Sequence, residues 1–215
     1  MPTSETDLRA ALCFWGRSLF ERNLTSGSSG NISVRCGAGF IITPTNSCLG
    51  TLDPARLSKL DSSGGSVSGD KPSKEVPLHL AYYEARPEAQ AVVHLHSTYA
   101  TALSCRSDID PLDCIPAMTP YVLMRAGRVP LVPYTDPGTD HARPYILRFA
   151  PDHAALLLAN HGPVVSGTSL EAAVFAAEEL EEAAKVAFIL EGKQVRLLDA
   201  ASIDRLLNGK SSTTP

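Results

Sequence analysis

The sequence predicts an α/β fold, a single domain built as a sandwich around a mixed or antiparallel sheet. Three observations carry this. Strand-like and helix-like segments are interleaved without the regular β-α-β alternation of a doubly wound parallel sheet. The 215 residues are 44% hydrophobic, which suits one large domain with its own core better than two small ones. No G-x-G-x-x-G fingerprint is present, so a nicotinamide-enzyme reading is poor.

Each element has a local reason. In residues 5–22, Leu8, Leu12, Trp15 and Leu19 recur at offsets of four, three and four, the spacing of one helical face. NLTSGSSGN then breaks the helix, because Gly27 and Gly30 lie among hydroxyl residues that favour turns. ISVRC and GFIITPT, divided by a glycine-rich turn, predict a hairpin. LDPARLSKLD is expected to form a short helix and SSGGSVSGDKP a surface loop. SKEVPLHLAYYEARPE predicts a helix with Ser73 as N-cap and Pro77 in the first turn, where amides lack intrahelical partners.

The branched, apolar run AVVHLHS reads as a buried strand, followed by a helical segment at YATALSC. A proline-punctuated region holds IPAMTP and VPLVPYTDPG. ALLLANHGPVVSG predicts two buried strands around a turn at His161-Gly162-Pro163. A long helix at SLEAAVFAAEELEEAAKVAFILEG and a short one at ASIDRLL close the domain, assigned to residues 1–209 with 210–215 as a disordered tail.

Composition narrows the function. A formal net charge of -4 offers no basic face for a nucleic-acid backbone, so a small-molecule substrate is expected. No apolar run approaches the ~20 residues that span a bilayer, and MPTSETDLRA lacks a basic region followed by a hydrophobic stretch, which predicts a cytoplasmic protein without membrane partners. Cys13, Cys36, Cys48, Cys105 and Cys114 are odd in number and form no C-x-x-C pair, arguing against a disulfide framework and a thiolate metal site. Any metal would need nitrogen and oxygen ligands, which directs attention to His79, His94, His96, His141, His153 and His161.

On a strand, residues i and i+2 share a face, so His94 and His96 can present two imidazoles to one ion. Taken alone, H-x-H reads more readily as two hydrogen-bonded core histidines. His161 sits at a strand end beside glycine, where loops present functional side chains. Glu75 falls in a first helical turn, where the helix dipole favours a carboxylate whatever its role. Ser73 and Lys74 beside it combine a hydroxyl, a cation and free amides, the ingredients of an anion site. Ser28-Ser29-Gly30-Asn31 and Thr45-Asn46 are further candidates for anion contacts.

The ordered set GSSGNISVR, ITPTN, KPSKEVPLH, VVHLHS and LANHGPVV resembles the class II aldolase and adducin-head family, typified by fuculose-phosphate and ribulose-phosphate enzymes. The resemblance covers nearly the whole chain. It implies a central, largely antiparallel sheet between helical layers, a homotetramer, and an active site near a subunit interface. It also implies a zinc ion on His94, His96 and His161, with Glu75 as fourth ligand or catalytic acid/base. Phosphate contacts would come from Ser28, Gly30, Asn31, Thr45, Asn46, Ser73 and Lys74. Manganese or cobalt would also suit such a donor set.

Within the family, TPTNSCLGTLDPARLSKLD, SGDKPSKE, TPYVLMRAGRVPLVPY and ANHGPVVSGTSLEAAVFAAEELEEAAK resemble the branch of 3-oxo-tetronate 4-phosphate decarboxylases. That branch implies loss of carbon dioxide to give dihydroxyacetone phosphate through a metal-bound enediolate, with Glu75 or a water it holds as proton donor. Tyr121 or a metal-bound water is the alternate proton donor, and Arg125 of a partner subunit the alternate phosphate cation. Two departures separate the chain from fuculose-phosphate aldolases. They carry TPTG and PSSE where this chain has Thr45-Asn46 and Ser73-Lys74-Glu75, and they use a tyrosine near the C-terminus where the last tyrosine here is Tyr145. An aldolase or epimerase on the same metal site is the alternative. A scaffold like the adducin head would be expected to have lost the ligands, and a structural zinc site is typically richer in cysteine.

Overall fold

In the computed structural model, which describes residues 4–209, one eight-stranded sheet runs through the molecule. The strands are β1 (Asn31–Cys36), β2 (Gly39–Ile42), β3 (Ser58–Leu60), β4 (Ser66–Ser68), β5 (Ala91–His94), β6 (Leu131–Val132), β7 (Ala155–Leu158) and β8 (Gly162–Gly167). Their order is β4-β3-β2-β1-β5-β8-β7-β6. Every pairing is antiparallel except β6 with β7. The mixed, largely antiparallel α/β sandwich is therefore the architecture observed.

Alternation along the strands divides the core in two. Ile32, Val34, Ile41, Val93, Leu157 and Val165 face one layer of helices: α1 (Glu5–Glu21), α3 (Thr98–Ser104), α4 (Pro120–Arg125), α6 (Leu170–Ile189) and α7 (Ala200–Asn208). Ile42, Val92, Leu156 and Val164 face the other, formed by α2 (Val76–Ala85) and α5 (Arg143–Phe149). The helix ends follow their sequence. Ser4 and Asp7 make a reciprocal capping box on α1, and Ser169 accepts from Ala172 N–H to cap α6. Leu12 and Leu19 of the predicted apolar stripe are fully buried, and burial of each such side chain stabilises by about 1.5–3 kcal/mol.

Several expectations need correction. LDPARLSKLD holds only a 3-10 turn at Pro54–Arg56, and its second half is β3. Pairing with the edge of β2 outweighs a short apolar spacing that suits helix and strand alike. Within SSGGSVSGDKP lies β4, an exposed edge strand too polar to show a strand signature. The proline-punctuated region contains α4, β6 and α5, with Pro120 and Pro144 in the first turns of the two helices. The turn between β7 and β8 ends at His161, with Asn160 left-handed and Gly162 already in β8. Ser73 is not the N-cap of α2: its N–H donates to Thr43 O at 3.2 Å, so it belongs to the bridged backbone, and Glu75 occupies the cap. The tail at 210–215 lies outside the described residues.

Candidate active site

The last residue of β5, the turn before β8 and the start of α2 meet at one point. Val92, His94 and His96 share the α2 face of the sheet, and although the regular strand ends at His94, Leu95 N–H still donates to Pro163 O at 3.2 Å. His96 therefore keeps the same side. Gly162, at φ 147°, lets β8 approach so closely that a Cβ would overlap the Leu95 carbonyl oxygen. This close approach brings His161 against the β5 histidines.

The Nε2 atom of His94 lies 3.1 Å from that of His96 and 3.2 Å from that of His161. Glu75 completes the group, with Oε2 3.4 Å from His94 Nε2 and Oε1 3.4 Å from His161 Nε2. One donor atom from each of the four residues falls within 4.8 Å of all the others. His94 Nδ1–H donates to Pro163 O at 2.9 Å, which leaves a bare lone pair on Nε2, facing two more imidazole nitrogens. In the metal-free chain one Nε2–H from His96 or His161 can donate to that lone pair, but only a cation between them satisfies all three nitrogens at once. Ligands at about 2.0–2.1 Å on a tetrahedral ion stand roughly 3.3–3.4 Å apart, so the spacing fits a divalent metal.

Electrostatics prepare the same state. Burial drives the proton off His94 and His96 and, with His94 beside it, brings His161 down to about 4. Burial opposes the Glu75 charge, yet His94, the Asn31 hydrogen bond and His161 outweigh it and hold the carboxyl at about 2. At neutral pH the imidazoles are uncharged, so in the metal-free chain the Asn31 N–H is the donor that keeps Glu75 ionised. Neutral imidazoles and a carboxylate are the forms that ligate metal.

The cluster opens into a cavity of about 320 Å³ lined by Ser28, Ser29, Gly30, Asn31, Pro44, Thr45, Asn46, Ser73, Lys74, Glu75, His96, Pro137 and His161. All seven residues singled out for phosphate contact line it. Backbone pairing builds this rim: Thr45 N–H donates to Lys71 O at 2.9 Å, and Pro44 bridges Pro72. Gly30, at φ 79°, disfavours any side chain, and a Cβ there would press on His94 O at 3.0 Å and Thr25 Oγ1 at 3.2 Å. A larger cavity of about 550 Å³ shares Pro44, Thr45 and Asn46 but holds no histidine, so the smaller one carries the chemistry.

Tyr121 and Arg125 do not reach this cavity within one chain. They lie on α4, whose Val122 and Leu123 pack on the opposite face of the sheet. Asn31 lines the cavity, but its amide is engaged: Nδ2 donates to Glu75 Oε2 at 2.7 Å and Oδ1 meets His79 Nε2 at 2.5 Å. Sequence reasoning gave His79 no role. Its signal was the helical spacing Glu75, His79, Tyr83, which places three polar side chains on one buried face of α2.

The family described as Class II Aldolase and Adducin N-terminal domain matches residues 10–188. The chain belongs to this family. It is 50% identical over 205 residues to a 3-oxo-tetronate 4-phosphate decarboxylase of Pectobacterium atrosepticum, covering 95% of this chain and 94% of that protein. An L-fuculose phosphate aldolase of Escherichia coli (strain K12) is more distant, at 34% over 165 residues, 76% of this chain and 74% of that one. The crystal structure of YgbL from Klebsiella pneumoniae superposes with a TM-score of 0.92 at 47% identity, covering 94% of this chain and 99% of that one. Both the class II aldolase resemblance and the greater likeness to the decarboxylase branch hold.

Proposed function

We propose that the protein is a metal-dependent carbon–carbon lyase that decarboxylates 3-oxo-tetronate 4-phosphate to dihydroxyacetone phosphate and carbon dioxide. The observation that carries the reading is the coincidence of a Glu75/His94/His96/His161 donor set with a polar cavity on a chain half identical, over its length, to named decarboxylases. The four donors would hold Zn2+, and Mn2+ or Co2+ would also suit the set. Such an ion would supply a Lewis acid that polarises the C3 carbonyl, so that this carbonyl can take up the electron pair left when carbon dioxide departs.

The chain's own residues do the rest. Ser28, Gly30, Thr45, Asn46 and Ser73 offer hydroxyl, amide and backbone donors to the phosphate, and Lys74 a point charge. Asn31, already bound to Glu75, acts chiefly through that carboxylate. As the C1–C2 bond breaks, its electron pair stays with the C2–C3–O unit, and C2 must then gain one proton. Glu75 rests ionised, so the proton it delivers is taken up during turnover from a water held against it. No helix among the described residues is long and apolar enough to cross a membrane, and the reading places a homotetramer in the cytoplasm. Exposure of Tyr121 and Met124 on α4 supports an interface there.

Aldol cleavage or epimerisation on the same site is the alternative, supported by the likeness to the fuculose phosphate aldolase. Against it stands the greater likeness to the decarboxylase, at 50% against 34% identity. Comparing kcat/KM for 3-oxo-tetronate 4-phosphate, fuculose 1-phosphate and ribulose 5-phosphate decides between them. The proposal fails if either sugar phosphate is turned over more efficiently than the oxo acid.

A further inference from the structure

We propose that His79 is a positioning residue for the metal centre, acting at the middle of a one-way hydrogen-bond chain from Tyr83 through Ser33, His79 and Asn31 to Glu75. The inference rests on reading Glu75 as part of that centre. Two secondary-structure periods assemble the chain. Glu75, His79 and Tyr83 recur every four residues along one face of α2, and Asn31 and Ser33 alternate onto the facing side of β1. The contacts are Tyr83 Oη to Ser33 Oγ at 2.8 Å, Ser33 Oγ to His79 Nδ1 at 2.7 Å, His79 Nε2 to Asn31 Oδ1 at 2.5 Å, and Asn31 Nδ2 to Glu75 Oε2 at 2.7 Å.

Chemistry fixes every direction. A carboxylate only accepts, so Asn31 must turn its NH2 to Glu75 and its carbonyl oxygen to His79. That oxygen also only accepts, so His79 carries its proton on Nε2. His79 is fully buried and no carboxylate among the described residues bonds to its ring, so the imidazole is neutral and Nδ1 is a bare acceptor. Ser33 must then donate to Nδ1, and Tyr83 to Ser33. Each O–H and ring N–H in the series donates once, and all in one sense. A chain of this kind gives the Glu75 oxygen a donor and gives nothing that could protonate it, which stabilises the carboxylate form. It also holds Oε2 in place beside His94 Nε2. A core histidine serving only to satisfy its own hydrogen bonds would not need to end on a residue of the donor cluster.

The test has a spectroscopic arm and a binding arm. In 15N-histidine-labelled, metal-free protein, long-range 1H–15N correlation should show His79 as the Nε2–H tautomer. In chelator-competition titrations with Zn2+, His79→Leu should keep the wild-type stoichiometry and weaken binding on the order of 10- to 100-fold, the usual effect of removing an outer-shell partner. His79→Gln, whose amide can donate to Asn31 and accept from Ser33, should recover most of the affinity. Should His79→Leu not fold, Ser33→Ala removes the donor to Nδ1 with little change in volume and should weaken Zn2+ binding in the same direction. An Nδ1–H tautomer, a wild-type Zn2+ constant in His79→Leu or Ser33→Ala, or a Gln variant as weak as the Leu variant would each overturn the proposal. A packing role alone would lower Tm and leave the Zn2+ constant where it was. If the wild-type chain bound no Zn2+, the centre itself would be misread, whereas the tautomer would still decide the direction of the chain.

Discussion

His94 Nδ1–H donates to the carbonyl of Pro163 at 2.9 Å, tying the end of β5 to the strand that begins directly after His161. One hydrogen bond thus fixes the tautomer of His94 and the place of His161. The purified protein should carry about one divalent ion per chain, and His94→Ala, His96→Ala or His161→Ala should each lose most of it. Elemental analysis after gel filtration checks this, and full metal in all three variants would refute the centre.

Acid should destabilise the metal-free chain in two stages. His79 and His161 titrate at about 3 and about 4 when folded, against an ordinary 6.5, and His94 and His96 are also lowered. Below pH 6.5 the unfolded chain takes up protons that the folded chain refuses, so stability present above 6.5 is lost as pH falls toward 3. Glu75, lowered from 4.5 to about 2, adds a loss that begins below 4.5. Thermal melts in chelator should show Tm falling from pH 6.5 downward. A Tm unchanged between pH 7 and 5 would contradict the buried, neutral histidines.

Much of this was legible from local pattern, and what was missed shares a cause. α1 and α6 announce themselves by apolar spacing and by the caps Ser4 and Ser169, because a helix is specified by neighbours in sequence. β3 and β4 do not, since short polar edge strands exist by virtue of the β2 edge they join. The H-x-H pair follows from strand period, but its convergence with His161 and Glu75 is a tertiary fact, which in the sequence only the family resemblance implies. Ser73 resembles a cap in sequence because its hydrogen bond to Thr43 involves a segment thirty residues away.

Lys74 tests the anion end of the cavity. Its side chain lies against Gly138, where a Cβ would stand 3.2 Å from Lys74 Cβ, Cγ and Cδ, and its charge helps to keep His96 and His161 unprotonated. Lys74→Ala should raise KM for the phosphorylated substrate while metal content stays at the wild-type level. An unchanged KM would transfer the role to another cation, with Arg125 of a neighbouring subunit the first to test.

Gly162 holds the close approach of β8 to Leu95. Gly162→Ala forces a side chain into a positive φ and into the Leu95 carbonyl oxygen, so it should destabilise by about 1–3 kcal/mol and reduce metal retention by displacing His161. Denaturant unfolding and elemental analysis measure both, and a variant with wild-type values in each would show that β8 does not need this glycine.

The most direct measurement is of product stoichiometry. Metal-loaded protein given synthetic 3-oxo-tetronate 4-phosphate in deuterated water should release carbon dioxide and dihydroxyacetone phosphate in equal amounts, with one deuterium placed stereospecifically at the carbon that lost the carboxylate. Glu75→Gln, which keeps the shape without the carboxylate, should lower kcat on the order of 10²–10⁴. Equal release with a Glu75-dependent, single deuterium is the predicted result. Consumption of the substrate without carbon dioxide, or no consumption by fully metallated protein, would contradict the account.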